Sequence, residues 1–272
     1  MKARIANEDG ELVVDLAHPV DLSLRLEFHG AQPRHFNAPA ASARPYAVPG
    51  FSGSVASGAS CNCEVLSLIP HCNGTHTECV AHLTRESLDA YRVVPAGLQP
   101  AVLVSVAPED AAAVREGSDP APQPHDELIT RRALERAWPR APFAARALVI
   151  RTLPNGPDKR TRDYSARIPP YLTREAAQLL TARGIVHLVV DVPSIDRTHD
   201  EGRLTAHRIF FGLRPGATEL AAAQRAGATV TELAYVPEAL PDGAYLLELQ
   251  VPPLSGDAVP SRPLLYPLLE AA

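Results

Sequence analysis

The sequence predicts a mixed α/β fold carried by one domain over residues 1–272. Three observations predict it. Short apolar runs bounded by turn residues read as strands, and they outnumber the helical segments. In the second half, helix and strand alternate, as in α/β folds. No self-similarity at a period of 20 to 50 residues divides the chain into repeats. A chain of 272 residues is long enough to bury one substantial core.

Each element has a local reason. Glu11 to Leu16 sets Leu12, Val14 and Leu16 on one strand face, with Val13 breaking the alternation. Asp21 to Phe28 alternates more cleanly through Leu22, Leu24 and Leu26. Phe36 to Ser60 is rich in Ala, Ser, Gly and Pro, with Arg44 its only formal charge, and reads as a long functional loop framing a site. Tyr46 and Phe51 on that loop could pack, or stack on an aromatic substrate. Ala101 to Val106 is a buried-strand pattern, and the Pro-punctuated segment 119–124 is an internal loop. Asp126 can cap a helix through Ala137. Ala147 to Arg151 is a strand. Thr173 caps a helix over Arg174 to Arg183, closed by Gly184, and Ile185 to Val190 is the strand that follows. Thr218 to Ala226 repeats the helix, Thr229 to Tyr235 the strand, and Tyr245 to Val251 is a last strand.

Charge and hydropathy exclude several function classes. The 26 Lys and Arg against 31 Asp and Glu give a net charge of −5, which favours neither nucleic acid nor an anionic membrane surface. No run of eighteen apolar residues marks a membrane span. Glu8 and Asp9 fall where a signal peptide needs its apolar stretch, so a cytoplasmic protein is expected. The cysteines, Cys61, Cys63, Cys72 and Cys79, lie within 19 residues, where a disulfide framework would spread them. They read as metal or catalytic thiols, or as small buried apolar groups. A four-cysteine zinc knuckle does not fit, because Cys61-x-Cys63 and Cys72-x6-Cys79 lack the usual pair spacing.

Residues 71 to 82 carry the chemistry: His-Cys-Asn-Gly-Thr-His-Thr-Glu-Cys-Val-Ala-His. Imidazole, carboxylate and thiolate are the side chains that bind zinc and similar ions. Gly74 permits a sharp turn, so that ligands on either side can converge. On an extended backbone His76 and Glu78 share a face, and the even spacings to Cys72 and His82 would extend that face if the chain stayed extended through Gly74. Downstream, Glu232 lies in an apolar strand, where a carboxylate costs about several kcal/mol unless paired or bound to a cation.

This segment resembles the signature of the cyclase family of metal-dependent hydrolases, which includes bacterial kynurenine formamidase and isatin hydrolase. The family pattern is His-x-Gly-Thr-His-x-Asp-x-Pro-x-His. Here Gly74-Thr75-His76 and His82 match, while Cys72, Glu78 and Val80 replace the first His, the Asp and the Pro. His71, one position early, is the alternative to Cys72. Asp191-Val192-Pro193-Ser194-Ile195-Asp196, Ala206-His207, Glu232-Leu233 and Arg151-Thr152 resemble later family segments in the same order. Asp196 also reads as a turn or capping residue, and His207 beside Phe210 and Phe211 as a packed core histidine.

The resemblance implies a swivelling β/β/α domain with a barrel-like mixed sheet and peripheral helices. It implies one or two divalent cations, zinc or manganese, held by His76, Glu78, His207 and Glu232 with Cys72 or His71 completing the set. A Cys72 thiolate would favour zinc. Glu78 reaches on the order of 1.5 Å further than Asp, enough to move a bridging cation. The implied activity is hydrolysis of an amide or cyclic amide C–N bond, arylformamidase-like, by water that the cation activates, with His82 as general acid/base. A lyase or true cyclase using the same residues, or a non-catalytic metal-binding protein, are the alternatives. The partners implied are a small-molecule substrate and further copies of the chain, as a dimer or tetramer.

Overall fold

The computed structural model describes residues 1–7 and 10–269. Its main element is a mixed sheet of eleven strands. In chain order these are β1 (Lys2–Asn7), β2 (Gly10–Asp15), β3 (Val20–Asp21), β4 (His76–Cys79), β5 (Gln99–Val106) and β6 (Ala147–Thr152). They continue with β7 (His187–Val190), β8 (Thr229–Glu232), β9 (Gly243–Gln250), β10 (Ala258–Pro260) and β11 (Arg262–Leu269). Among the described residues five helices accompany them: α1 (Pro70–Asn73), α2 (Ala90–Val93), α3 (Arg131–Ala137), α4 (Arg174–Ala182) and α5 (Thr205–Phe211). The strand order is β1-β2-β11-β9-β5-β6-β7-β8-β4-β10, with β3 paired to β11. The four central strands β5 to β8 run parallel, and antiparallel pairs flank them on both sides.

The parallel centre is buried on both faces, as parallel sheets are. Every residue of β6 is buried. One face, with Val102, Val104, Leu148, Ile150, Leu188 and Val230, packs on Leu134, Leu180, Phe210 and Phe211 of the helices. The other face, with Leu103, Val149 and Val189, packs on Leu247 and Leu265 of the antiparallel strands. Among the described residues, no helix is long and apolar enough to cross a membrane.

Six of the seven strands that the sequence places are formed, β1, β4, β10 and β11 lie outside those placements, and the departures have physical reasons. Asp21 to Phe28 pairs only through its first residue; Leu22 is buried and bonded to Pro263 and Tyr235 backbone, while residues 22–27 belong to no strand. The segment 36–60 is not a structureless loop. Ser42–Pro45 pairs with Glu64–Ser67, and Ala47–Val48 with Phe51–Ser52, a partnership that local periodicity cannot reveal. Asp126 caps no helix; it accepts bonds from the Tyr171 hydroxyl and Arg197, residues 127–129 form a strand, and Thr130 caps α3 instead. Thr173 does cap α4, accepting from the Ala176 amide. Thr218 to Ala226 forms only a single 3-10 turn at Leu220–Ala222. β8 stops at Glu232 because Leu233 takes φ 53°, a left-handed conformation that ends the ladder.

His187 at the start of β7 is buried, with Nδ1 2.9 Å from the Thr229 hydroxyl, and burial pushes its pKa down to about 4. A histidine held neutral in the fold but free to protonate near pH 6.5 when unfolded stabilises fully above that pH. The contribution is lost as pH falls from about 6.5 towards 4. Urea unfolding between pH 7.5 and 4.5 should therefore show a steeper acid loss in wild type than in His187→Gln, by on the order of 3 kcal/mol at completion.

Candidate metal centre

The centre is built on β4, which lies between β8 and β10. All four of its residues are buried. In the antiparallel register His76 faces Glu232 across β8, and Glu78 faces Val230 there and Ala258 across β10. Strand alternation therefore points His76, Glu78 and Glu232 to one side. On the other side, Thr77 and Thr231 hydroxyls meet at 2.7 Å. Thr75 donates to Leu233 O at 2.5 Å and accepts from the Leu24 amide at 2.8 Å, which fixes the entry to β4.

His207 comes from the first turn of α5. Asp196 accepts from the amides of Ala206 and His207 and, at 2.7 Å, from His207 Nδ1. One carboxylate thus caps the helix and orients the ring, so Asp196 does more than the capping its sequence context suggests. His76 is oriented similarly, with Nδ1 2.9 Å from Gly74 O. Gly74 itself is extended, at φ −179°, so the sharp turn expected there is absent and its carbonyl is what the site uses.

Both rings thereby aim Nε2 inward. His76 Nε2 lies 3.3 Å from Glu232 Oε2, and His207 Nε2 lies 2.8 Å from Glu78 Oε1 and 3.4 Å from Glu232 Oε1. Glu232 Oε1 also accepts from the Ile195 amide at 2.8 Å. His71 Nδ1 stands 3.1 Å from Glu78 Oε2, and His71 Nε2 3.0 Å from Asp257 Oδ2. His82 is at the margin, with Nε2 3.9 Å from Glu78 Oε2 and Nδ1 3.2 Å from Asp257 Oδ2. The His82 and His71 side chains are 28% and 24% exposed, against 0% for His76 and 2% for His207, so these two imidazoles form the solvent side of the cluster.

The buried atoms of this cluster are poorly satisfied. His76 Nε2, both oxygens of Glu78 and His207 Nε2 are buried with no hydrogen bond of acceptable geometry. Four converging unsatisfied donors and acceptors are costly unless something binds them. Among the described residues, His71–His76–Glu78 and Glu78–His207–Glu232 each bring three ligand atoms within 4.8 Å of one another, with Glu78 common to both. Imidazole nitrogen and carboxylate oxygen suit a divalent cation. The electrostatics agree. Burial would raise the Glu78 pKa, yet the His82 and His207 charges hold it well below the usual range. Burial opposes protonation of His207, yet Glu78, Asp196 and Glu232 push its pKa well up. His71 is likewise raised to about 10 against burial by Asp257 and Glu78. The carboxylates demand positive charge, and protonated imidazoles stand where a cation fits.

Cys72 belongs to none of these groups. Residues 70–73 form a helical turn, not the extension that the even spacing assumed, so His71 rather than Cys72 is presented to Glu78. The Cys72 thiol is buried, and burial raises its pKa. Cys79 donates to Leu88 O, and Cys61 and Cys63 are exposed. Asp191 is buried outside the cluster, held by Lys159 at 2.8 Å and by Thr152. Arg151 is taken up by Asp242 and the Pro237 carbonyl. Asp257 is the contributor that sequence reading missed; Gly256-Asp257 before a strand looks like an ordinary turn. His35, outside these ligand groups, is fully buried with neither ring nitrogen hydrogen-bonded, and burial lowers its pKa to about 4.

Fold and centre together define a mixed α/β protein organised around a buried histidine–carboxylate cluster. The chain belongs to the cyclase family: the family profile described as Putative cyclase matches residues 14–197, more than half of its length. His207, Glu232 and Asp257 lie beyond that match, and the geometry of the cluster brings them to the motif. Among solved structures, a potential metal-dependent hydrolase with cyclase activity is similar at TM-score 0.60 and 17% identity, over 92% of this chain and 97% of that one. An isatin hydrolase bound to thioisatinate is similar at TM-score 0.57 and 17% identity, over 93% of each chain. Isatin hydrolase A from Ralstonia solanacearum is similar at TM-score 0.55 and 18% identity, over 92% and 91%. At these identities the likeness is one of fold. No curated protein matches the chain by sequence.

A divalent cation should raise the melting temperature and EDTA should lower it. At a free cation concentration 100-fold above Kd the gain is about 2.7 kcal/mol. Glu78→Gln, which removes the carboxylate shared by both groups, should abolish most of that gain in a thermal-shift titration with zinc and manganese.

Proposed function

We propose that this protein is a divalent-cation-dependent hydrolase of a non-peptide amide or cyclic amide C–N bond. The observation that carries the reading is the convergence of His76 Nε2, His207 Nε2 and both Glu78 oxygens, all buried and unsatisfied, beside a partly exposed His82. Neighbours named as isatin hydrolases support the substrate class, since isatin is a cyclic amide.

His71, His76, Glu78, His207 and Glu232 would hold the cation. When bound, it supplies Lewis acidity, lowering the pKa of a coordinated water from about 15.7 towards 7 and polarising a carbonyl oxygen. The chain supplies the rest. His76 and His207 present lone pairs inward because Gly74 O and Asp196 hold their Nδ1–H groups. The Ile195 amide holds one oxygen of Glu232, leaving the other towards His76. Of the imidazoles near Glu78, His71 and His82 both reach solvent; with His71 given to the cation, His82 Nε2 would take a proton on the attacking side and return it to the leaving nitrogen. The donor set contains no sulfur, so the argument for zinc from Cys72 falls away; zinc and manganese both suit nitrogen and oxygen donors.

Purified protein should contain about one or two equivalents of zinc or manganese by ICP-MS. It should open formanilides or isatin-type lactams and lose that activity with chelator. His82→Ala should keep its metal and lose turnover by about 10²–10⁴-fold. Loss of the metal in that variant would make His82 a ligand. A metal-loaded protein inert towards every amide offered would overturn the hydrolase reading.

A further inference from the structure

Asp257 directly precedes β10, outside every sequence motif. A single oxygen, Oδ2, lies 3.0 Å from His71 Nε2 and 3.2 Å from His82 Nδ1. The two rings are nearly stacked, with centroids 4.4 Å apart and planes at 32°. The backbone around Asp257 is fixed: Cys79 N–H donates to Asp257 O at 3.0 Å, Ala90 N–H to Gly256 O at 2.8 Å, and Gly256 N–H to Asp89 Oδ1 at 3.1 Å. The carboxylate is therefore carried on a turn that β4 and the start of α2 hold in place.

We propose that Asp257 is a positioning residue that sets the tautomer and orientation of His71 and His82 together. A carboxylate only accepts hydrogen bonds, and a neutral imidazole has one N–H and one lone pair. The nitrogen bonded to the carboxylate must carry the proton, and the other is left with the lone pair. For His71 this puts N–H on Nε2 and the lone pair on Nδ1, 3.1 Å from Glu78 Oε2, in the group it shares with His76. For His82 it puts N–H on Nδ1 and leaves Nε2 free on the Glu78 side. One carboxylate thus prepares a ligand and a proton carrier at once. The inference rests on the proposed roles of those two histidines. The competing arrangement is a separate cation held by His71, His82 and Asp257, whose ligand atoms also lie within 4.8 Å of one another.

The test uses full-length protein as wild type, Asp257→Asn and Asp257→Ala, loaded with zinc. Long-range ¹⁵N–¹H correlation spectra of ¹⁵N-histidine-labelled protein read the tautomers directly, with His82→Ala and His71→Ala for assignment. Wild type should show His82 protonated at Nδ1, and Asp257→Ala a mixture of tautomers. Zinc affinity by chelator competition should fall about 10–100-fold with stoichiometry retained. On a formanilide, kcat should fall at least about tenfold while KM moves less than about threefold. The isosteric Asn variant, which keeps the volume and one acceptor, should fall between the two; it carries the test if the Ala variant fails to fold. Unchanged tautomers in both variants, or loss of one whole equivalent of zinc, would overturn the proposal. If wild type hydrolyses no amide, the hydrolase reading fails on its own, and the tautomer and affinity measurements still decide the role of Asp257.

Discussion

Two carboxylates, Glu78 and Glu232, occupy one buried space, and their mutual repulsion is the constraint around which the molecule is arranged. In a low-dielectric interior like charges interact far more strongly than in water, and an uncompensated pair would ionise only at high cost. The surroundings supply the compensation. His207 lies against both acids, His76 against Glu232, and His71 and His82 against Glu78. Electrostatics of this kind is poorly suited to stabilising a fold, since a well-packed apolar cluster would do so at less cost. It is suited to holding a multivalent cation.

A common device runs through the cluster. Each imidazole has its outward nitrogen tied to an acceptor: Gly74 O for His76, Asp196 for His207, and Asp257 for His71 and His82. Those acceptors sit on different kinds of support. Gly74 is part of the strand entry, Asp196 is bound to the first turn of α5, and Asp257 lies in a turn pinned to β4 and α2. Errors in one support therefore do not propagate to all four rings.

The legible part of this arrangement was the part that local pattern encodes. His76 and Glu78 could be placed on one face because a strand alternates, and Thr173 and Gly184 bound α4 because caps are short-range. The pairing of β4 with β8 and β10 was not legible, since register between distant strands leaves no trace in either segment. Cys72 shows how a parity argument fails: it assumed extension through residues where the chain makes a helical turn beginning at Pro70. The ribbon of Ser42–Pro45 with Glu64–Ser67 was illegible for the same reason as the sheet, because its partners are separated by a hairpin and a further turn. Thr218 to Ala226 had a helical composition, yet it closes as a single turn, so composition permitted a helix that the tertiary structure did not use.

The placement of β4 between β8 and β10 also dictates an order of assembly. During synthesis the motif-bearing segment leaves the ribosome long before its neighbours, for Asp257 is 175 residues beyond His82 and Glu232 lies between them. Until those stretches emerge, β4 is an unpaired strand whose one acid, Glu78, has His71 and His82 but not His207 beside it, and non-local pairings of this kind form slowly. The histidine–carboxylate cluster is thus completed late in biogenesis, and a stalled nascent chain would present an unpaired strand in its place.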